Sequence, residues 1–142
     1  MKKILFLCTG NSCRSQIAEG LGKIYLQKYN IDSAGTEAHG INLNAIKTMN
    51  NINIDISKQT STKINLLTLD TYDLIITLCG DANDKCSIIN KNIKHIHWEI
   101  KDPAKIKGTK EEIAKGFTKI RDEILIKIKS LNESIKNEKI FS

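Results

Sequence analysis

The sequence predicts an α/β fold, a single doubly wound domain with a four-stranded parallel sheet in the order 2-1-3-4 and helices on both faces. Three observations carry this prediction. Two short apolar runs, Lys3 to Cys8 and Asp73 to Cys79, lack polar alternation, as strands buried on both faces of a parallel sheet do. Segments of helical period alternate with the strand candidates, which implies right-handed crossovers. The chain of 142 residues suffices for one continuous core, and no repeat, linker or composition shift divides it.

Lys3 to Cys8 is the first strand. After a tight loop, Ile17, Leu21, Ile24 and Lys28 recur at helical spacing and predict a helix from Ser15 to about Tyr29, with Gly20 and Gly22 permitting close packing on the sheet. Ile31 to Ala34 supplies a short second strand, and Asn44 to Asn50 a short helix bearing Ala45, Ile46 and Met49. Asp73 to Cys79 is the third strand and Ile93 to Trp98 the fourth. Asp102-Pro103 follows in a loop, because the residue before proline is biased away from helix. Thr109 and Glu112 form a capping-box pattern ahead of a stripe of Ile113, Phe117, Ile120, Ile124, Ile128 and Leu131, which predicts a helix covering one face of the sheet. Asn132 to Ser142 is expected to fray.

The formal charge is +6, from 22 basic and 16 acidic residues, and it favours anionic partners. Lys105, Lys107, Lys110, Lys115, Lys119, Lys127 and Lys129 fall at spacings that suit a solvated face. Aromatic residues make up 5% of the chain and no basic cluster interleaves with them, so no nucleic-acid platform is expected. The apolar run Ile4 to Leu7 is too short for the core of a signal peptide. No stretch approaches the roughly 20 apolar residues of a membrane-spanning helix. A soluble, cytoplasmic, monomeric protein is expected.

In a doubly wound sheet, ligands bind beyond the carboxyl ends of strands one and three, where the winding direction switches. Cys8 and Cys79 end those two strands. Neighbouring strands lie about 4.8 Å apart, so the two sulfurs can meet after a modest movement. Cys8-Thr9-Gly10-Asn11-Ser12-Cys13-Arg14-Ser15 stands directly between strand and helix. Backbone N–H groups of such a loop, with the helix dipole behind them, suit an oxyanion. Gly10 and Asn11 tolerate the positive φ of an anion nest. Arg14 can pair two oxygens with its planar fork, and Ser15 can donate to a thiolate or to the anion. Beside a guanidinium at a helix N-terminus, Cys8 is expected to react as a thiolate. If Cys8 and Cys13 were only small buried hydrophobes, the placement of Gly10, Asn11, Arg14 and Ser15 would have no explanation. For Cys13 alone, burial is the simpler reading. His39, His95 and His97 form no ligand cluster and read as core-edge or surface residues.

These residues resemble the low-molecular-weight protein tyrosine phosphatase family, which combines the Cys-X5-Arg-Ser loop with an aspartate in a distant Asp-Pro pair. The resemblance implies that Asp102 is the general acid for the oxygen that leaves as Cys8 attacks. Cys79 and Cys86 add redox capability. Together with Cys8 to Gly20, Ser33-Ala34-Gly35, Asp55-Ile56-Ser57, Thr77-Leu78-Cys79, His97-Trp98 and Asp102-Pro103, they resemble the thioredoxin-coupled arsenate reductases, a branch of the same fold. That resemblance implies a relay in which Cys8 forms a thiol-arsenate adduct, Cys79 attacks Cys8 to give a Cys8-Cys79 disulfide with release of arsenite, and Cys86 resolves it as Cys79-Cys86 for thioredoxin to reduce. Cys79 and Cys86 would stand about 10.5 Å apart along an intact helix, beyond the roughly 7 Å Cα separation a disulfide tolerates. The segment is therefore expected to rearrange between redox states.

After Asp102-Pro103, phosphatases of this family commonly place aromatic residues, whereas this chain has Ala104-Lys105-Ile106. Weak phosphatase activity on small aryl phosphates is a side expectation, and a protein tyrosine phosphatase is the alternative function. Some reductases of this type hold potassium beside the loop. Asn11, Glu19, Ser33 and Thr60 match that site, but Thr62 stands where those members have an aspartate, so no metal is expected. Zinc on the four cysteines is a remote alternative, because Cys8 to Cys13 and Cys79 to Cys86 do not fit the usual structural spacings. No bound cofactor is expected.

Overall fold

The computed structural model describes residues 1–78, 92–138 and 140–141. Cys79, Cys86 and the segment that joins them, with its expected rearrangement, lie outside the described residues. Four parallel strands, β1 (Lys3–Cys8), β2 (Asn30–Gly35), β3 (Leu74–Thr77) and β4 (His95–His97), form a sheet in the order β2-β1-β3-β4. This is the topology expected from the sequence. Cys8 stands in register with Gly35 on one side, and its neighbour Leu7 stands opposite Thr77 on the other.

The pleat divides the core. Ile4, Phe6, Leu74 and Ile76 point to the face covered by helices α1 (Arg14–Tyr25), α2 (Leu43–Asn50) and α3 (Lys110–Glu138). Leu5, Leu7, Ala34 and Ile75 point to the other face, beneath Leu69 of a 3-10 helix, Leu66–Thr71, and against Ile64, Tyr72 and Ile93. Residues 4 to 8 are all buried, and at about 1.5–3 kcal/mol for each large apolar side chain this fixes β1 as the central strand. Gly20 brings α1 close to α2, since a Cβ there would stand 2.7 Å from Ile56 Cγ2 and 3.0 Å from Met49 Cε.

Several boundaries differ from the sequence expectation. α1 ends at Tyr25, where the Leu26 N–H closes on Gly22 O at 2.8 Å, and Ile24 faces solvent instead of continuing the stripe. β3 and β4 are shorter than their apolar runs, because the ladder between them pairs only Ile75–Thr77 with His95–His97. The 3-10 helix Leu66–Thr71, capped by Asn65 Oδ1 accepting from Leu67 N at 3.0 Å, had no sequence signal. At α3 the capping box forms as expected, with Glu112 N donating to Thr109 Oγ1 at 3.1 Å and Thr109 N to Glu112 Oε1 at 3.3 Å. Its stripe Phe117, Ile120, Ile124, Ile128 and Leu131 is buried, while Lys105, Lys107, Lys110, Lys115, Lys119 and Lys129 are exposed.

The stretch from Asn132 was expected to fray, yet α3 continues to Glu138 and buries Ile135 one turn beyond Leu131. Phe141 packs on Tyr29 with ring centroids 5.3 Å apart. Ile135→Ala should therefore lower the unfolding free energy by about 2–4 kcal/mol, measured by urea denaturation. A loss below about 0.5 kcal/mol, the scale of an ordinary surface substitution, would return this segment to a frayed tail.

Candidate active site

Between the end of β1 and the start of α1 the peptides are all turned one way. The carbonyls of Cys8, Thr9, Gly10 and Ser12 accept from the backbone N–H groups of Thr36 (3.2 Å), Glu37 (2.8 Å), His39 (2.9 Å) and Asn42 (3.1 Å). The Asn11 carbonyl accepts from Gln16 Nε2 at 3.1 Å and Ser61 Oγ at 2.9 Å, and that of Cys13 from Ile17 N at 2.9 Å. In a trans peptide C=O and N–H point in opposite directions. With these carbonyls bonded outside, the N–H groups of Thr9 to Arg14 are directed into the hollow of the loop. That hollow is a cavity of about 140 Å³ lined by Cys8, Thr9, Gly10, Ser12, Cys13, Arg14, His39, Asp102 and Ala104.

Gly35 permits this arrangement. A Cβ there would run into Glu37 O, Asn11 N and Thr9 O, so no other residue lets the end of β2 abut the loop. Asn11 adopts φ 45°, in the left-handed region that asparagine tolerates. Its buried amide is fully used: Nδ2 donates to Ser15 Oγ at 2.8 Å and Ser33 Oγ at 3.0 Å, while Oδ1 accepts from Thr62 N at 2.7 Å. Because Ser15 Oγ accepts from Asn11, its single hydrogen is left for Cys8 Sγ, 2.7 Å away. Ser33 in turn donates to Glu19 Oε1 at 2.6 Å, and Lys23 Nζ binds Glu19 Oε2 at 2.7 Å. Thus Asn11, Glu19 and Ser33, three of the residues matched to a potassium site, form one hydrogen-bonded chain. A lysine ammonium neutralises its carboxylate. Thr60 contributes its carbonyl to Gln16 Nε2 at 3.1 Å, and Thr62 contributes its N–H to Asn11.

Arg14 is buried, and its Nη1 donates to Ile100 O at 3.0 Å. Nη2 lies 4.0 Å from Asp102 Oδ2, across the mouth of the cavity. Asp102 caps the 3-10 turn Pro103–Lys105, accepting from Ala104 N at 3.0 Å through Oδ1. The Asp-Pro pair, some 90 residues downstream of the loop, is thereby brought to its rim. Cys13 also lines the cavity, but burial pushes its thiol from 9.0 up to about 12, outweighing the opposing hydrogen bond with Ser12 and the Arg14 charge. It is a neutral thiol.

His39 is exposed, as the sequence leads one to expect, and its ring also reaches the cavity rim, which no local pattern marks. The usable signal was topological: the residues after β2 must pass beside the carboxyl end of β1. His95 and His97 lie elsewhere, on the edge strand, where Nε2 of one and Nδ1 of the other meet Thr77 Oγ1 at 2.8 Å and 2.6 Å. Burial and the neighbouring His97 lower the pKa of His95. A larger cleft of about 430 Å³, lined by Lys2, Asp73 and Lys94 among others, sits near the amino ends of β1 and β3, away from both described thiols.

The chain matches the family model of low molecular weight phosphotyrosine protein phosphatases over residues 3–140. It is 54% identical over 134 residues to an arsenate reductase of Shouchella clausii, covering 94% of this chain and 96% of that protein. An arsenate reductase of Bacillus subtilis is 51% identical over 134 residues with the same coverage, 94% and 96%. Among solved structures, an arsenate reductase in the phosphate binding state matches with a TM-score of 0.78 at 33% identity, over 95% of this chain and 99% of that one. The tyrosine phosphatase Wzb from Escherichia coli K30, in complex with sulphate, matches with a TM-score of 0.80 at 25% identity, over 94% and 98%.

Cys13 should keep its proton well above the pH at which an exposed thiol ionises. Burial disfavours the Cys13 thiolate, so the native state keeps that proton between pH 9.0 and about 12, and any stabilisation from it is complete below that window and lost through it. Mass-spectrometric mapping after brief iodoacetamide treatment of the native protein at pH 8 should find Cys13 protected, with labelling appearing only after denaturation. Equal labelling of Cys13 in the native and the denatured protein would contradict its burial.

Proposed function

Because the chain belongs to the low molecular weight phosphotyrosine protein phosphatase family, we propose that it is an oxidoreductase that reduces arsenate to arsenite in the cytoplasm, with thioredoxin as the final reductant and arsenic detoxification as its role. The single observation that carries this reading is the loop whose carbonyls are bonded outward and whose cavity Cys8 lines, in a chain about half identical to named arsenate reductases.

The cup and Arg14 receive a tetrahedral oxyanion and hold its negative oxygens. The Cys8 thiolate, with the Ser15 hydroxyl directed at it, attacks arsenic. Asp102 at the rim protonates the departing oxygen, which leaves as water, and a Cys8–arsenic bond forms. The thiolate of Cys79 then attacks Cys8 Sγ. The electron pair of the sulfur–arsenic bond passes to arsenic, which departs as arsenite, two electrons richer, and a Cys8–Cys79 disulfide remains. Cys86 attacks Cys79, freeing Cys8 and leaving Cys79–Cys86, which the dithiol of thioredoxin reduces. Leu78, the residue before Cys79, donates its N–H to Leu7 O at 2.9 Å, so the chain enters the second cysteine segment from beside Cys8. That geometry supports the relay's first exchange. No metal or bound cofactor takes part in these steps.

A second reading, phosphotyrosine hydrolysis, shares the loop and Asp102. The rim favours reduction, because the residue lining it after Pro103 is Ala104, which offers no wall for a phenyl ring. Only a weak aryl phosphatase side activity follows from the shared loop.

A coupled assay with thioredoxin, thioredoxin reductase and NADPH tests the proposal. Arsenate should drive NADPH consumption in the wild type, and Cys8→Ser, Cys79→Ser and Cys86→Ser should each reduce it by at least about 100-fold, the scale expected when a relay member is removed. Hydrolysis of an aryl phosphate that Cys79→Ser leaves intact, without arsenate reduction in the wild type, would establish the phosphatase instead.

A further inference from the structure

We infer that His39, oriented by Glu37, is an additional substrate-binding residue of the Cys8 pocket, which takes up a proton and donates from Nδ1 to the oxyanion oxygen that faces out of the loop. This inference rests on reading the Cys8 loop as an oxyanion site. It concerns a residue that neither the loop pattern nor the Asp-Pro pair includes.

Position is the first argument. Beyond β2 the chain is tied to the loop by Glu37 N to Thr9 O at 2.8 Å and His39 N to Gly10 O at 2.9 Å, so both side chains start from the rim of the cup. The His39 ring then lies over Gly10. A Cβ at Gly10 would stand 2.6 Å from His39 Nδ1, which places that nitrogen against the loop whose N–H groups face the cavity. Position 10 was expected to take a positive φ, but in the loop only Asn11 does, so glycine at position 10 serves to leave room for the imidazole.

The far side of the ring decides its tautomer. Nε2 lies 2.7 Å from Glu37 Oε2, and an ionised carboxylate only accepts, so Nε2 carries a hydrogen. In the neutral ring Nδ1 then has only a lone pair, which would repel an anion. A second proton on Nδ1 creates a donor, and the charge it adds faces Glu37 behind it. The cavity that His39 helps to line also receives the anion and is lined by Cys8 and Asp102, with Arg14 the one opposing charge among the lining residues. An anion therefore favours the protonated ring, and proton and anion bind together. Glu37 and His39 side chains are 62% and 56% exposed, so the pair itself adds little to folding and its variants should fold.

Sulfate is the probe of choice, because it does not itself titrate near neutral pH. Calorimetric titration of the reduced, full-length protein with sulfate, in two buffers of different ionisation enthalpy, reads affinity and proton uptake together. The wild type should take up a fraction of a proton per sulfate bound. His39→Gln should take up measurably less and bind about three- to ten-fold more weakly, the scale of one hydrogen bond. Glu37→Gln should fall between them, and the double variant should be no weaker than His39→Gln, since both act through one contact. Unchanged affinity and proton uptake in His39→Gln, or losses that add in the double variant, would overturn the inference. If sulfate does not bind the wild type at all, the oxyanion reading of the loop falls, and this inference falls with it. Binding that survives in the wild type but ignores His39 refutes the inference alone.

Discussion

The outward hydrogen bonding of the loop carbonyls is the constraint on which the site depends. A single reversed peptide between Cys8 and Arg14 would swing an oxygen into the cavity, where its negative end would meet the anion. The strap from Thr36 to Asn42 prevents this by supplying donors to four of the carbonyls from outside. The strap can lie there only because β2 neighbours β1 and because Gly35 has no side chain to hold the two apart. The sheet order is therefore not a neutral scaffold. It brings the donors that orient the cup.

The same constraint explains the buried polar chain behind the loop. Asn11 must take a left-handed backbone conformation for the loop to turn, and its side chain then enters the interior, where an unpaired amide would cost about 1–3 kcal/mol. Ser15, Ser33 and the Thr62 N–H satisfy it completely. Ser33 passes the demand to Glu19, a nearly buried carboxylate that would cost several kcal/mol without a partner. Lys23, one helical turn along α1, supplies that partner while keeping its own ammonium half in water. Hydrogen-bond direction is set at every link, and at the other end it leaves the Ser15 hydrogen for Cys8.

Features written in local patterns were legible from the sequence. The unbroken apolar run of β1, the capping box of α3 and the Cys-X5-Arg-Ser loop each occupy a few consecutive residues, and each has its expected place in the fold. Periodicity misled where chance extended it. Ile24 and Lys28 continue the α1 spacing, but Ile24 faces solvent in the last turn and Lys28 lies beyond the helix end at Tyr25. At the other terminus Ile135 continues the α3 stripe, but the lysines and asparagines around it mask the period. Long-range partners had no local mark. Gln59 bonds Gln16, Ser61 and Thr62 bond Asn11, and His39 reaches Gly10, each through the fold and none through a motif.

Anion binding alone does not separate a phosphatase from a reductase. Phosphate and arsenate are both tetrahedral and both suit a ring of N–H donors, and the two relatives were observed with phosphate and sulphate in this fold. A thiol attached to phosphorus has nowhere to send two electrons and can only be hydrolysed, whereas arsenic can accept them when a second thiol attacks the first. In the proposed chemistry, discrimination therefore belongs to the step after binding, and phosphate is an occupant of the cup that the relay cannot consume. Whatever selectivity the rim adds, through Ala104 in place of an aromatic wall or through His39, acts on how the anion is received, while the choice between hydrolysis and reduction rests on the second thiol.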